Sequence, residues 1–143
     1  MKIIQVVGRS NSGKTTFICR LVPILKVRGS VAVIKHLADH DFSLEAGRDT
    51  TCFFDAGADI SIGVDRQKAV VATRSNDLDR ILANLAAENL DFVVIEGFKQ
   101  RPFPKIVIGE LAIENCVLAN PTADEAAAAL HLFADFETIK QEK

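Results

Sequence analysis

Short apolar runs rich in valine and isoleucine alternate along the chain with segments whose apolar residues recur every three to four positions. That alternation marks a parallel sheet flanked by helices, because parallel strands are joined by crossovers that pack back onto the sheet. The run Lys2 to Val7 predicts the first strand, and Gly8 to Gly13 predict a turn-rich loop. Phe17, Ile18, Leu21, Val22 and Leu25 then fall on one face of a predicted helix. Pro23 predicts a kink or a shortened helix, and Gly29 suits a left-handed residue that stops it. Val31 to Lys35 reads as a fully buried second strand. From His36 to Gly47 no period survives, and a polar stretch of that length among short connections reads as a functional loop.

Asp49 predicts the cap of a short helix through Ala56, with Gly57 ending it. Asp59 to Val64 and Ala69 to Thr73 predict two antiparallel strands joined at Asp65-Arg66-Gln67-Lys68. Asn76 followed by Asp79 opens a predicted helix with Leu78, Ile81, Leu82 and Leu85 on one face. Asp91 to Ile95, Lys105 to Ile108 and Asn115 to Leu118 are further predicted strands, and Thr122-Ala123-Asp124-Glu125 is a capping box opening a last helix through about Phe133. Glu137 to Lys143 reads as a frayed, solvated tail. The expected fold is a three-layer α/β domain over residues 1–143, with a mostly parallel sheet and a β-hairpin extension near Asp59 to Thr73.

Composition narrows the function. Seventeen Lys and Arg against nineteen Asp and Glu give a net charge of −2, which argues against an electrostatic nucleic-acid binder. With 48% hydrophobic and 25% charged residues, the chain has apolar side chain enough for a core, so wholesale disorder is excluded. Cys19, Cys52 and Cys116 form no CxxC pair and their number is odd, which argues against a disulfide framework. Those cysteines are expected to be reduced thiols in a cytoplasm, and since no apolar run approaches the roughly 18 residues of a membrane span, a soluble chain is expected.

Gly8-Arg9-Ser10-Asn11-Ser12-Gly13-Lys14-Thr15 matches G-x-x-x-x-G-K-[ST] without a gap, between a predicted strand and a predicted helix. Each position has a chemical reason. The glycines let backbone N–H groups turn inward around a polyphosphate, and the helix start adds unpaired donors. Lys14 supplies a charge for the β and γ phosphates, Thr15 a hydroxyl for Mg²⁺, and Thr16 a hydroxyl at the α or β phosphate. Such a loop needs an acidic group at the end of a neighbouring strand, and Phe92-Val93-Val94-Ile95-Glu96-Gly97 offers Glu96 for the metal or an attacking water. Lys99 and Arg101 follow as cations for a second anion or for transition-state charge. The expected fold is therefore that of the P-loop NTPases.

The P-loop, Ile34-Lys35-His36, His40-Asp41-Phe42, Gly47-Arg48-Asp49-Thr50, Ala56-Gly57-Ala58 and Ile95-Glu96-Gly97-Phe98-Lys99 occur in an order that resembles the MobB family, molybdopterin-guanine dinucleotide biosynthesis protein B. The resemblance runs from Lys2 to about Ile108. It implies a GTP-binding, weakly hydrolysing adaptor that assists a MobA-like guanylyltransferase, works as a homodimer, and handles GTP, Mg²⁺ and molybdopterin. Carried over by position, Gly8 to Thr16 would hold the triphosphate and Glu96 would occupy the acidic Walker B place. Lys35, His36 and Asp49 match the family's strand-end and loop motifs, Asp49 as a metal or water contact unless it serves as a helix cap. Glu45 stands where the family usually carries Asp, and Phe54 where it carries a basic residue before Ala56-Gly57-Ala58.

Other constellations weigh less. His36, His40 and Cys52 lack the helical spacing of a zinc site. Cys19 and Cys116 read as small packing residues, and His131 as a structural side chain of the last helix. Asn120 and Asp124 resemble a guanine-reading pair, but stand four apart, lack the usual lysine, and fall in the capping box. Nothing supplies an arginine finger in cis, so GTP hydrolysis near 10⁻³ to 10⁻² per second is the order-of-magnitude expectation. Arg9, Lys99 and Arg101 remain as candidate charges. A small-molecule kinase is the first rival reading, and a non-catalytic nucleotide-dependent scaffold the second.

Overall fold

The computed structural model describes residues 1–37 and 43–136; His40, with Asp41 and Phe42, and the tail from Glu137 lie outside the described residues. The chain divides between Ala38 and Asp39, and again between Ile81 and Leu82, into two compact units. Around the outer segments a five-stranded sheet forms from β1 (Lys2–Val7), β2 (Val31–Lys35), β3 (Phe92–Glu96), β4 (Lys105–Val107) and β5 (Cys116–Ala119). Its order is β2-β3-β1-β4-β5, and every pairing is parallel. The α/β fold with a mostly parallel sheet is thus as the alternation predicts.

Central position explains the sequence of the middle strands. β1 and β3 are apolar almost throughout because both faces are covered. Ile4, Val6, Val94 and Ile106 pack with Phe17, Ile18, Leu21 and Leu25 of α1 (Lys14–Lys26) and with Ala123, Ala126 and Ala127 of α2 (Ala123–Ala128). On the opposite face Ile3, Val93 and Ile95 are fully buried. β2 departs from expectation. It is a sheet edge, with Val33 and Lys35 exposed, because only β3 pairs with it.

The helix boundaries correct four local expectations. α1 is not shortened at Pro23 but continues to Lys26, since Pro23 and Cys19, whose carbonyl loses its helical donor, both lie on the exposed side where water can serve. Gly29 has no positive φ. It is needed for close approach instead, because a Cβ there would lie 2.4 Å from the Asp91 carboxylate, which accepts from the Ser30 N–H and hydroxyl. The capping box at Thr122 forms as predicted, with Thr122 and Glu125 bonded reciprocally, but α2 ends at Ala128 and gives way to a 3₁₀ turn over Leu130–Leu132 that carries exposed His131. Cys19 and Cys116 are exposed rather than packed, as is Cys52, and all three thiols are free.

The second unit contains α3 (Asp49–Asp55) and the antiparallel pair β6 (Ile60–Val64) and β7 (Ala69–Thr73). Here the hairpin and the left-handed Gly57 match the sequence reading. One face of the hairpin rests on α3: Ser61 is buried and its hydroxyl donates to the Thr50 carbonyl. The other face presents Ile60, Ile62, Val64 and Val71 to solvent. α4 (Leu78–Ala87) is capped by Asp77, whose carboxylate accepts from the Asp79 N–H, and not by Asn76.

Candidate functional site

The loop between β1 and α1 has the geometry its residues require. Asn11 and Gly13 adopt φ of 59° and 92°, left-handed values that turn successive peptides in one direction. Gly8 has ordinary φ, but a Cβ there would lie 2.3 Å from the Ile108 carbonyl and 2.5 Å from Ser12 Oγ. The loop is therefore held tight against the end of β4. Arg9, Ser10 and Asn11 are exposed along its rim, and Ser12 Oγ is buried without a hydrogen-bond partner. Lys14 lies across the loop, its Nζ donating to the Arg9 carbonyl at 2.7 Å.

Glu96 ends β3, the strand that pairs with β1. The register places Val6 beside Glu96, so the carboxylate stands next to the loop's origin. Thr15 Oγ1 donates to Glu96 Oε2 at 3.0 Å, and Lys35 Nζ lies 3.5 Å from Glu96 Oε1. The Glu96 side chain is only 10% exposed and that of Lys35 51%, so the ion pair is wet on one side and the carboxylate is directed by its partners. Thr15 and Glu96 offer two oxygen donors of the hard kind that Mg²⁺ prefers.

The chain leaves β3 through a constrained turn. Gly97 and Phe98 have φ of 95° and 51°, and a Cβ on Gly97 would lie 2.9 Å from His36 Cβ. His36 donates its backbone N–H to the Glu96 carbonyl at 2.9 Å, and its ring stacks on Phe98 with centroids 4.2 Å apart. Beneath this turn lie two polar side chains that the sequence reading missed. Gln5, fully buried in β1, donates from Nε2 to the carbonyls of Gly97 and Phe98, each at 2.7 Å. Lys105, buried in β4, donates to the carbonyls of Arg101 and Phe103 at 2.6 and 3.0 Å, and its burial pulls the ammonium pKa below the usual lysine value. The signal was available: Gln5 interrupts the apolar run of β1, and Lys105 opens an otherwise apolar β4.

The structure brings the phosphate loop, Thr15, Lys35, His36 and Glu96 into one site. Lys99 is exposed on the turn after Glu96, and Thr16 faces a cleft at the start of α1. Asp49 belongs to the other unit, where it is an exposed first-turn residue of α3; the cap position is Arg48, so the capping role expected of Asp49 is not taken. In the same unit the Arg74 guanidinium lies 4.4 Å over the Phe54 ring and donates to the carbonyls of Phe54 and Ala58, so a cation stands at Phe54 although the residue itself is apolar.

Residues 3–130 match the family model described as molybdopterin guanine dinucleotide synthesis protein B. The chain belongs to the MobB family. A putative molybdopterin-guanine dinucleotide biosynthesis adapter protein of Methanocaldococcus jannaschii is 38% identical over 76% of this chain and 47% of its own length. A probable adapter protein of Bacillus subtilis is 37% identical over 74% of this chain and 64% of its own. This chain thus spans between about half and two thirds of these relatives. The crystal structure of Bacillus subtilis MobB superposes with a TM-score of 0.70 at 25% identity, covering 94% of this chain and 99% of that one. A MobB homologue from Bacillus stearothermophilus gives 0.55 at 27% identity, over 92% and 72%.

Proposed function

We propose that this MobB-family chain is a GTP-binding adapter with slow GTPase activity in the biosynthesis of molybdopterin guanine dinucleotide. The observation that carries the reading is the 3.0 Å hydrogen bond from Thr15 to Glu96 at the foot of a complete phosphate loop. The loop amides and Lys14 hold the triphosphate, and Thr15 and Glu96 hold Mg²⁺ directly or through water. When bound, the ion draws off negative charge from the β and γ phosphate oxygens. Glu96 orients a water, and the half-exposed Lys35 beside it balances its charge. Hydrolysis is slow, and the nucleotide acts chiefly as a signal of the bound state.

The partner is a MobA-like guanylyltransferase, with molybdopterin as the second ligand. The homodimer reading is supported by the apolar face of Ile60, Ile62, Val64 and Val71, since exposed apolar patches mark interaction surfaces. Calorimetric titration of GTP and ATP with Mg²⁺ present tests the site, followed by crosslinking to the transferase. Lys14→Ala is expected to abolish nucleotide binding, and unchanged affinity would refute the assignment.

A further inference from the structure

We propose that a pocket at the base of the hairpin seats a phosphorylated pterin, with Asp59 reading the pterin edge and Arg74 and Arg80 holding the phosphate. The inference rests on the reading of molybdopterin as the second ligand and names its site on this chain; it does not depend on the phosphate loop. The pocket, about 500 Å³, lies wholly within the second unit and is lined by Asp59, Ile60, Thr73, Arg74, Ser75 and Arg80. A volume of that order suits a small organic molecule, not a bare ion. Ile60 and Thr73 are register partners at the open end of β6 and β7, and Arg80 comes from the first turn of α4.

Arg74 is fixed before any ligand arrives. Its Nε donates to the Ala58 carbonyl at 3.1 Å, its Nη2 donates to the Phe54 carbonyl, and the guanidinium lies 4.4 Å over the Phe54 ring. Two of its five N–H donors are thereby used, and an arginine already held in place loses little further rotamer freedom on meeting an anion. The Arg80 guanidinium and the Asp59 carboxylate have no hydrogen bond or ion pair among the described residues. Two guanidinium groups against one carboxylate favour a ligand with a dianionic end, and a phosphate monoester accepts from both forks. The carboxylate decides the other end. It repels a bare phosphate, but it is satisfied by a group with two adjacent N–H donors, which the ring N3–H and 2-amino group of a pterin supply. Ile60 gives the flat ring an apolar contact. A phosphorylated pterin thus engages all three charged side chains, and the relatives that match this chain are named for molybdopterin chemistry.

The test titrates the full chain with 6-hydroxymethylpterin phosphate, followed by the ligand's own fluorescence, and with 6-hydroxymethylpterin and glycerol 3-phosphate by calorimetry. Wild type should bind the phosphorylated pterin at least about tenfold more tightly than either of the other two. Arg80→Gln should erase most of the advantage of the phosphate and leave the free pterin unchanged. Asp59→Asn should weaken both pterins by about tenfold and leave glycerol 3-phosphate no weaker. Saturating GTP with Mg²⁺ should not displace the pterin. Displacement by GTP, or an unchanged affinity for the phosphorylated pterin in both variants, would place the ligand elsewhere and overturn the pocket while the molybdopterin reading stands. Equal wild-type affinity for the phosphorylated pterin and glycerol 3-phosphate would reveal a simple phosphate site and overturn the role of Asp59. Absence of pterin binding to wild type overturns the second-ligand reading and the pocket with it, and leaves the phosphate loop to the GTP titration. Asp59 and Arg80 are exposed and their side chains make no hydrogen bond among the described residues, so both variants should fold.

Discussion

Glu96 owes its chemistry to burial combined with partners. A carboxylate so little exposed is costly to bury alone, and Thr15 Oγ1 with Lys35 Nζ supplies the compensation. Thr15→Ala and Glu96→Gln should each remove the gain in nucleotide affinity that Mg²⁺ provides, by at least about tenfold, measured by titration with Mg²⁺ and with EDTA. Retention of the full Mg²⁺ effect in both variants would refute the pair as the metal site. Gln5 acts at one remove, because its two hydrogen bonds satisfy carbonyls of a left-handed turn. Leaving a buried acceptor unpaired costs roughly 1–3 kcal/mol, so Gln5→Leu should lower unfolding stability by about 2 kcal/mol or more in urea titration. A change within error of zero would show that water serves those carbonyls as well.

Among the elements, the junction of β2 and β3 is the clearest case of a glycine whose reason lies elsewhere in the chain. Asp91 approaches Gly29 too closely for any side chain and accepts from the Ser30 N–H and hydroxyl, which hold its carboxyl below the usual aspartate value. A depressed carboxyl pKa adds stability that is fully present above the unfolded value near ~3.9 and is lost as pH falls through the folded one. The thermal midpoint of Asp91→Asn should therefore trail wild type by a constant margin from about pH 7 to pH 5, and the margin should shrink below about pH 4. An equal margin at pH 7 and at pH 2.5 would remove the carboxylate from the account. The place of Gly29 after a helix predicts a left-handed stop, whereas the approach of Asp91, 61 residues on from Ser30, is what disfavours a side chain there. The apolar run of β2 predicts a buried strand, but strand order decides which strand is the edge.

For the molecule as a whole, the near-neutral charge of −2 leaves apolar contact as the main basis for self-association. Ile62 and Val71 stand directly opposite each other on the exposed hairpin face. Ile62→Lys with Val71→Lys should convert the proposed homodimer to monomer in light scattering while circular dichroism stays unchanged, and a persistent dimer would place the interface elsewhere. The alternation of strand and helix, the phosphate loop, the capping box at Thr122 and the hairpin were all legible in the sequence, because each is specified by residues within a few positions of one another. Tertiary structure alone decided the rest. Thr15 and Glu96 lie 81 residues apart, and Gln5 reaches Gly97 and Phe98 across the sheet. Those meetings depend on which strands neighbour β1, and strand order follows from how the crossovers pack, which no local period encodes.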